Sequence, residues 1–328
     1  MTDYERILIT GGAGFVGAHV TAALRRAYAS AKVTVVARPH EVVRLSGVDV
    51  IICDLTDETA VERLVADVAP DLVIHLAGQA SVAQASRLVE QTWRVNALAT
   101  YFLGAAVARH APSAVMFFAS SATVYGASFL NGVLSEDAPL QPLDVYARSK
   151  VAAEYLLSDL FRLSGRLVIV RPVNHSGPGQ RSNDFVLPSF AAQVAAIEGG
   201  RIEPRMKVGD LSRVRDFLDV RDVVDAYLRL IAIARGLPET VSIFNVSSGK
   251  GYRIGALLEE LRALSRKDFD IEVDPDRMRP SAVDISSVIC DPSKLCSTTG
   301  WEPKIPIRDT IQALLDERRA ESVGGLKS

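Results

Sequence analysis

The first half of this chain alternates short, uniformly apolar runs with longer segments in which apolar residues recur every three or four positions. Uniformly apolar runs predict strands that are covered on both faces, and the longer spacing predicts helices that cover them. This alternation indicates an α/β fold built on a doubly wound parallel sheet. The predicted strands are Arg6–Thr10, Lys32–Ala37, Val48–Cys53, Leu72–Leu76, Ala114–Ala119 and Leu167–Val170, and the predicted helices are Ala18–Ala29, Thr59–Val68, Val89–Arg109 and Tyr146–Leu163.

The pattern changes after Pro172. Residues Asn174–Asn183 include two glycines and one proline, which predicts a loop that opens a second region. We expect the chain to cross between a first domain, residues 1–173 and 216–250, and a second, smaller α/β domain, residues 174–215 and 251–328. The further predicted elements are a helix over Asp219–Ala234, a strand over Val241–Val246, a helix over Ala256–Leu264, an extended segment over Phe269–Val273, a helix over Asp309–Arg318 and a frayed tail over Glu321–Ser328.

Composition places the sequence among ordinary globular proteins. Its 328 residues are more than one compact core usually holds, which agrees with two domains. Hydrophobic residues make up 48% and charged residues 23%, which excludes a disordered or fibrous chain. Lysine and arginine total 37 against 39 acidic residues, so the chain has no overall basic field and no nucleic-acid partner is expected.

Targeting and redox signals favour a cytoplasmic protein. No stretch approaches the roughly 20 uninterrupted apolar residues that span a bilayer, so no membrane partner is expected. The acidic Asp3 and Glu5 near the start are unlike a signal peptide. The three cysteines, Cys53, Cys290 and Cys296, have no CxxC spacing, so neither a disulfide framework nor a metal site is expected.

A glycine-rich turn links the first predicted strand to the first predicted helix. Glycine lets the backbone approach a pyrophosphate without a Cβ atom between them, and the helix N-terminus supplies N–H groups and partial positive charge. This position makes the turn a dinucleotide fingerprint of the Rossmann type rather than an ordinary βα turn. The expected cofactor-binding residues in it are Gly11, Gly14, Phe15, Val16 and Gly17.

The expected cofactor is NADP(H). Folds that prefer NAD place an acid about 20 residues past the glycines, but Ala37 and Arg38 stand there in this chain. A guanidinium can bind a 2′-phosphate through two hydrogen bonds. The alternative is that Arg38 is a solvated loop residue and selectivity is loose. Asp54 and Leu55 are expected at the adenine, although Asp54 could equally cap the helix that follows.

Tyr146 and Lys150 lie four residues apart at the start of a predicted helix and therefore on one face of it. A phenol has an unperturbed pKa near 10, so it needs a neighbouring positive charge to transfer a proton at neutral pH. Lys150 can supply that charge and hydrogen-bond the cofactor ribose. The pair gains weight because it follows the glycine turn and the segment Ser120–Gly126, which lies at a strand end where α/β sheets place their chemistry.

These motifs resemble the extended short-chain dehydrogenase/reductases that act on nucleotide sugars. The resemblance implies that Ser121, Tyr146 and Lys150 are catalytic, that Tyr146 and Lys150 also contact the cofactor, and that Asn96 helps to organise the site. It further implies cofactor contacts at Leu76, Ala77, Gly78 and Asn96. The matching segments are Thr10–Gly17, His75–Gln79, Ser120–Gly126, Tyr146–Lys150 and Val170–Pro172.

The second half is similar to GDP-4-keto-6-deoxymannose reductases and shares some segments with the related GDP-mannose 4,6-dehydratases. The resemblance implies a diphosphate site in which Arg215 and Arg279 are forked donors and Asn174 donates an amide hydrogen bond. Each arginine alone would more simply form a surface salt bridge. The matching segments are Asn174–Gln180, Val208–Leu211, Arg215–Phe217, Arg277–Ser281 and Thr299–Pro303, and the other expected substrate contacts are Ser81, Ser121, Thr123, Val186 and Lys207.

Two departures from the family pattern bear on the reaction. Dehydratases of this family carry one or two acids directly after the catalytic hydroxyl residue, and Ala122 and Thr123 stand there in this chain. Water elimination is therefore not expected. Val173 stands before Asn174 where relatives usually carry an aromatic residue, so the identity of the sugar stays open.

The expected activity is NADPH-dependent reduction of the 4-keto group of a nucleotide-activated 6-deoxyhexose, of the kind that gives GDP-D-rhamnose. A 4-epimerase with a tightly held cofactor is the first alternative. A non-catalytic NADP(H)-binding regulator is the second, which the intact set of Ser121, Tyr146 and Lys150 disfavours. The nucleotide base and the stereochemistry at C4 stay open. The helices Val89–Arg109 and Tyr146–Leu163 suggest a homodimer interface of the family's kind.

Overall fold

Strands and helices alternate through most of the chain. The structure is a computed structural model and describes residues 3–163, 165–278 and 285–324. Its strands are β1 Arg6–Thr10, β2 Lys32–Ala37, β3 Asp49–Ile52, β4 Leu72–His75, β5 Val115–Ala119, β6 Arg166–Pro172, β7 Asn174–Ser176, β8 Arg205–Val208, β9 Val214–Asp219, β10 Val241–Val246, β11 Gly251–Arg253, β12 Asp270–Val273 and β13 Ser287–Val288. Its α-helices are α1 Phe15–Ala27, α2 Glu58–Val68, α3 Val82–Arg87, α4 Val89–Trp93, α5 Ala99–His110, α6 Val145–Phe161, α7 Val186–Glu198, α8 Val220–Ile233, α9 Ile254–Leu264, α10 Ser293–Thr299 and α11 Ile307–Gly324.

Seven strands form one parallel sheet in the order β10, β6, β5, β4, β1, β2, β3. The chain runs from β1 to one edge and then crosses to β4 on the other side of β1. Ligands of open α/β sheets bind beyond the carboxyl ends of the strands at such a switch point. The predicted doubly wound sheet of the Rossmann type is confirmed.

Both faces of this sheet are covered, which explains why its strands are apolar at successive positions. In β1, Ile7 and Ile9 join the core formed with α1 and α8, whereas Leu8 joins the core formed with α2, α5 and α6. Successive side chains of a strand point to opposite faces, so each face needs its own apolar set. The sheet is therefore held from both sides.

A second region carries smaller sheets and its own core. Strand β9 pairs with β7, β11 and β13, and β8 pairs with β12. Helices α7, α9 and α11 pack around a third core that includes Phe190, Leu258 and Leu314. The separate core agrees with a second, smaller domain. The exact domain bounds stay a prediction, and the predicted boundary between residues 215 and 216 falls inside β9.

Several segments differ from the prediction. The predicted loop Asn174–Asn183 begins with β7, whose three residues pair with β9. A π-helix over Arg94–Leu98 interrupts the predicted helix Val89–Arg109. The predicted tail from Glu321 instead continues α11 to Gly324, and residues 325–328 lie outside the described residues. In the described part of the chain, no helix is long and apolar enough to cross a membrane.

The loop that follows β7 touches helices from both ends of the chain. The Nε2 of His19, on α1, lies 2.8 Å from the carbonyl oxygen of Pro178. The backbone N–H of Gly179 donates to the Glu317 carboxylate of α11 at 2.7 Å. Arg318 donates to the next two carbonyls of the loop at 2.9 and 2.8 Å. The loop thus connects the helix that follows the glycine turn to the last helix of the chain.

Candidate active site

The glycine turn lies at the carboxyl end of β1, at the switch point of the sheet. Gly11 has a φ of +71°, and a Cβ atom there would lie 2.6 Å from the backbone nitrogen of Ala77. A Cβ on Gly17 would lie 2.0 Å from the carbonyl oxygen of Gly11. Helix α1 can therefore approach the turn this closely only at glycine. Gly14, the N-cap of α1, is exposed, so the turn presents an open backbone cradle that fits a pyrophosphate.

His75 ties this turn to the next strand. The Thr100 hydroxyl donates to the carbonyl of Asn96, so its oxygen accepts from the Nε2–H of His75 at 2.8 Å. The Nδ1 of His75 then accepts from the Thr10 hydroxyl at 2.6 Å, and the Thr10 oxygen accepts from the backbone of Ala77 at 3.4 Å. Burial lowers the pKa of His75 to about 3. This histidine is neutral and structural.

Asn96 lies fully buried in the π-helix. Its amide group donates to the Ser149 hydroxyl at 2.9 Å and to the Gln79 carbonyl at 3.2 Å, and its oxygen accepts from the Gln79 backbone at 2.7 Å. A Cβ on Gly78 would lie 3.0 Å from the Asn96 oxygen and 3.5 Å from the Nζ of Lys150. Asn96 thus holds the loop after β4 against α6, close over Lys150.

Arg38 follows β2 and is accompanied by a carboxylate. Its guanidinium is 81% exposed and lies 3.5 Å from the Glu41 carboxylate. That carboxylate also accepts a hydrogen bond from the backbone N–H of Arg38 at 3.0 Å. The sequence prediction counted no acid here because Glu41 lies three residues further on, in a turn that closes back on Arg38. A 2′-phosphate at Arg38 would have to compete with this carboxylate.

Asp54 and Leu55 follow β3, beside β2 in the sheet. The Asp54 carboxylate accepts from the backbone and the hydroxyl of Thr56 at 2.9 and 2.8 Å. Asp57, rather than Asp54, is the N-cap of α2. Asp54 therefore shapes the turn and stays exposed, whereas Leu55 is half-buried against the core.

Ser121 follows β5 and directly precedes a 3₁₀-helix that begins at Ala122. Its Oγ accepts from the backbone N–H of Thr123 at 3.2 Å and from the Thr123 hydroxyl at 3.0 Å. A hydroxyl oxygen has two acceptor positions, so the hydrogen of Ser121 is free to point towards another acceptor. A hydrogen bond from Ser121 acts to lower the pKa of the Tyr146 phenol. The hydrogen of Ser121 is therefore the one that reaches the phenol.

Helix α6 brings Tyr146 and Lys150 to this point. Asp144 caps the helix by accepting from the backbone of Ala147 at 2.8 Å. Burial raises the pKa of Tyr146 to about 12, against a lowering by its hydrogen bond with Ser121. Burial also lowers the pKa of Lys150 to about 8. At neutral pH the phenol is therefore protonated and the amine is charged.

Lys150 has specific neighbours. Its Nζ donates to the carbonyl of Ala119, at the end of β5, at 2.8 Å, and lies 4.8 Å from the centre of the Phe118 ring. The ammonium thus bonds to the strand end rather than to the phenol. Ser121, Tyr146 and Lys150 meet where β5 ends.

Two of the predicted substrate residues lie on neighbouring strands. Asn174 on β7 stands opposite Phe217 on β9, and its side chain donates to the Asp216 carbonyl at 3.2 Å. Arg215, on the same strand β9, donates to two backbone carbonyls at 2.8 and 3.4 Å. Arg279 lies outside the described residues.

The other predicted substrate residues are dispersed. Ser81 is the N-cap of α3 and accepts from Gln84 at 3.2 Å. Val186 begins α7 and packs against the third core. Lys207 is exposed on β8, in a groove of about 380 Å³ that Glu272 also lines. The Thr123 hydroxyl donates its hydrogen bond to Ser121.

The sequence prediction missed a buried ionic group beneath the site. Glu154, one turn beyond Lys150, accepts from the Nε and a terminal nitrogen of Arg171 at 3.1 and 2.6 Å. Arg171 also donates to the Tyr125 hydroxyl at 2.9 Å, and Tyr125 donates to Asn245 at 2.8 Å. The available signal was an acid on the face of α6 that also carries Lys150, and an arginine that directly follows the apolar run Leu167–Val170. Tyr125 is fully buried, in keeping with its structural place.

Known proteins are similar to this chain in sequence and fold. Residues 7–247 match the NAD dependent epimerase/dehydratase family. The chain is 35% identical over 315 residues to the GDP-6-deoxy-D-mannose reductase of Pseudomonas aeruginosa, covering 95% of this chain and 97% of that protein. The structure of RMD from Pseudomonas aeruginosa complexed with NADPH is similar with a TM-score of 0.79 and 32% identity, covering 96% of this chain and 99% of that chain. The Thermus thermophilus UDP-glucose 4-epimerase complex with NAD gives a TM-score of 0.82 and 28% identity, over 96% and 99%.

The family match spans the glycine turn, Ser121, Tyr146 and Lys150. The resemblance read from the sequence motifs is therefore confirmed by a match over most of the chain and by relatives aligned along nearly all of it. This chain belongs to the NAD dependent epimerase/dehydratase family, the extended short-chain dehydrogenase/reductases.

Proposed function

We propose that this protein is an NADP-dependent oxidoreductase that reduces the 4-keto group of a nucleotide-activated 6-deoxyhexose, converting GDP-4-keto-6-deoxy-D-mannose to GDP-D-rhamnose. The observation that carries the proposal is the meeting of a protonated Tyr146 with Ser121 and a charged Lys150 at the end of β5. The likeness to the Pseudomonas aeruginosa GDP-6-deoxy-D-mannose reductase supports the substrate class.

The glycine turn would hold the cofactor's pyrophosphate and Lys150 its ribose. Bound NADPH supplies a hydride to C4 of the sugar. Gly14, Phe15 and Val16 stand at the open side of the turn or at the first helical turn after it, while Gly11 and Gly17 allow the close approach of α1. Leu76, Ala77 and Gly78 would line the other side of the cofactor, because they follow β4 beside the turn.

Proton transfer is assigned to Tyr146. Ser121 would donate its hydrogen to the keto oxygen, and the Tyr146 phenol would give that oxygen its proton as C4 accepts the hydride. The Lys150 ammonium would stabilise the phenolate until solvent restores the proton. A donor must be protonated before the reaction, and the raised pKa of Tyr146 meets this need.

Water elimination is not part of the proposal. Ala122 has no ionisable group, and the Thr123 hydroxyl is engaged by Ser121 at 3.0 Å. Neither residue is a general acid or base at neutral pH. A 4-epimerase is the second candidate, favoured by the likeness to the Thermus thermophilus UDP-glucose 4-epimerase. The complete set of Ser121, Tyr146 and Lys150 speaks against a non-catalytic regulator.

The deciding experiment supplies the protein with NADPH and GDP-4-keto-6-deoxymannose. We expect stoichiometric NADPH consumption and a product heavier than the substrate by two hydrogens, because one comes from the cofactor and one from solvent by way of Tyr146. Absorbance at the nicotinamide band and mass spectrometry in H₂O and D₂O measure both.

Two other outcomes would contradict the reductase. Interconversion of two sugars without NADPH loss would identify an epimerase. Loss of water from GDP-mannose would identify a dehydratase. The same assay with UDP- and dTDP-linked keto sugars ranks the nucleotide bases.

The substrate's diphosphate would bind on β7 and β9. Asn174 and Arg215 lie on these adjacent strands, and their amide and guanidinium donors suit phosphate oxygens. We extend this assignment to Arg279 from its sequence motif alone. Ser81, Thr123, Val186 and Lys207 stay proposed contacts of the sugar nucleotide.

A homodimer and a cytoplasmic location complete the proposal. Large apolar residues are exposed on adjoining helices, Trp93 on α4, Tyr101 on α5 and Tyr155 on α6. Pairing of these helices with those of a second copy would bury them. The three cysteines are free thiols, which suits a reducing compartment.

Arg38→Ala is expected to weaken NADPH binding by about 1.5–3 kcal/mol, the worth of a charged hydrogen bond, and to leave NADH binding nearly unchanged. Glu41→Gln is the matched variant. It should strengthen NADPH binding, since the competing carboxylate is lost while Arg38 stays. Titration of nicotinamide fluorescence gives both dissociation constants. Equal losses for NADPH and NADH in Arg38→Ala would contradict the assignment of the 2′-phosphate to Arg38.

A further inference from the structure

Lys150 and Glu154 lie one turn apart on α6 and are both buried, with 5% and 3% of their surface exposed. The groups that face the ammonium come from several elements. From β5 come the Ala119 carbonyl and the Phe118 ring. From β4 comes His75, which is neutral in its pair of hydroxyl bonds. Glu154 is the described carboxylate whose negative charge acts to raise the pKa of Lys150.

The Glu154 carboxylate is itself surrounded by donors. Arg171, from β6, binds it through two hydrogen bonds at 3.1 and 2.6 Å. The Ser120 hydroxyl, next to Ser121 in the chain, donates to the same carboxylate. Arg171 continues to the Tyr125 hydroxyl at 2.9 Å and to the Glu136 carbonyl at 3.2 Å. These contacts fix the carboxylate in one place beneath the site.

Lys150, Arg171 and Glu154 together carry two positive charges and one negative charge. Removing the anion would leave Lys150 and Arg171 as like charges in a medium of low dielectric. An arginine side chain does not give up its proton in proteins, whereas a buried lysine readily does. The lysine would therefore become neutral first. A buried ion pair is by itself weak evidence for a role in stability. The location of this pair beside Lys150 instead indicates a role in the charge state of the lysine.

We propose that Glu154 is a positioning residue for the reaction, whose carboxylate keeps Lys150 in its ammonium form and, through Ser120, fixes the strand end that carries Ser121. Arg171 holds this carboxylate in place and limits how far its charge raises the pKa of Lys150. The proposal rests on the proposed function in giving Lys150 a part in the reaction. The charge of Lys150 is nevertheless measurable without any substrate.

The direct test is an NMR titration of protein labelled with ¹³C at the lysine ε-carbons. The chain has eight lysines, and Lys150→Met identifies the signal of Lys150. Glu154→Gln should lower the titration midpoint of Lys150 by roughly one to three pH units, the usual effect of a close opposite charge. Arg171→Gln should raise it, because Glu154 then acts without its counter-charge. A purely structural role would not move the two midpoints in opposite directions.

Rate measurements give the second readout. Between pH 6.5 and 8.5 the kcat of both proteins should fall. The factor by which it falls in Glu154→Gln should be about ten times the factor in the unmodified protein, since Lys150 of the variant is neutral at the higher pH. Its kcat should approach the unmodified value only as the pH falls below the lowered midpoint of Lys150. A uniform loss at every pH would mean a structural role and would overturn the proposal.

The chain offers a matched control in Glu198. Its carboxylate, like that of Glu154, accepts from the Nε and a terminal nitrogen of an arginine, here Arg319, at 2.7 Å each. Glu198→Gln should lower the melting temperature and leave the Lys150 midpoint and the pH profile unchanged. Ser120→Ala keeps both charges of the pair and should leave the midpoint within a few tenths of a unit.

Failure of this proposal differs from failure of the proposed function. Unchanged midpoints in both Glu154→Gln and Arg171→Gln would overturn the role of Glu154 whatever the enzyme reduces. If Glu154→Gln does not fold, an unchanged midpoint in Arg171→Gln alone would do so. If the unmodified protein does not reduce keto sugars but the two variants show opposite midpoint shifts, only the proposed function is contradicted.

Discussion

Tyr146→Phe is expected to lower kcat by roughly 10²–10⁴-fold, the usual contribution of a positioned acid. In the proposed reaction the phenol supplies the proton for the keto oxygen, and phenylalanine would fill the same buried space without it. Binding of NADPH and of the sugar nucleotide should change little, because the ring stays packed at the start of α6. Steady-state NADPH oxidation and calorimetric binding measure the two effects separately.

Tyr4→Phe is the control, since it removes a buried hydroxyl that donates to the Ile231 carbonyl at 3.0 Å, outside the proposed site. It should lower the free energy of unfolding by about 1 kcal/mol and leave kcat unchanged.

In the unmodified protein kcat should fall as the pH rises through about 8, where burial has placed the pKa of Lys150. A Tyr146→Phe variant that keeps more than a tenth of kcat would remove Tyr146 from the role of donor.

Gly17→Ala is expected to weaken NADPH binding about ten- to a hundredfold and to lower the melting temperature. Its Cβ would lie 2.0 Å from the Gly11 carbonyl oxygen, so α1 would have to move away from the turn. Overpacking of this kind costs about 1–3 kcal/mol. Fluorescence titration and thermal unfolding record the two losses.

Substitutions at two other glycines show whether the losses come from crowding between α1 and the glycine turn. Gly236→Ala places its Cβ in open space, so both measurements should stay at their unmodified values. Gly14→Ala places its Cβ 3.2 Å from the Gly11 oxygen on the exposed side of the turn, so it should weaken NADPH binding with a smaller loss of stability. Unmodified NADPH affinity in Gly17→Ala would mean that the pyrophosphate binds elsewhere.

The central sheet was predictable because its strands are buried on both faces. Ile7, Leu8 and Ile9 must all be apolar to serve two cores, and the same demand marks the other strands. Helix α7 escaped prediction because its apolar residues lie nearly all round the helix, which leaves no stripe. Strand β7 escaped because its pairing partner β9 lies some forty residues further along the chain, and pairing of this range leaves no local pattern.

The π-helix at Arg94–Leu98 had no visible signal either. A π turn takes in an extra residue, which shifts the phase of the helix without adding a polar break. For the site, the spacing of Tyr146 and Lys150 and the glycine turn are local patterns that a sequence displays. Glu41 and Glu154 matter through side chains that reach other residues, so their place was visible only in three dimensions.

The loop beyond β7 has a consequence for how the protein is made. Its contacts join His19, near the start of the chain, to Glu317 and Arg318, near its end. During synthesis α11 leaves the ribosome after every other described element, so the loop gains its contacts to α11 later than those to α1. Contacts of such long sequence separation also form late in folding, because the closure of a long loop opposes them. A nascent chain that lacks α11 would have only the contact with His19 to hold this loop against α1.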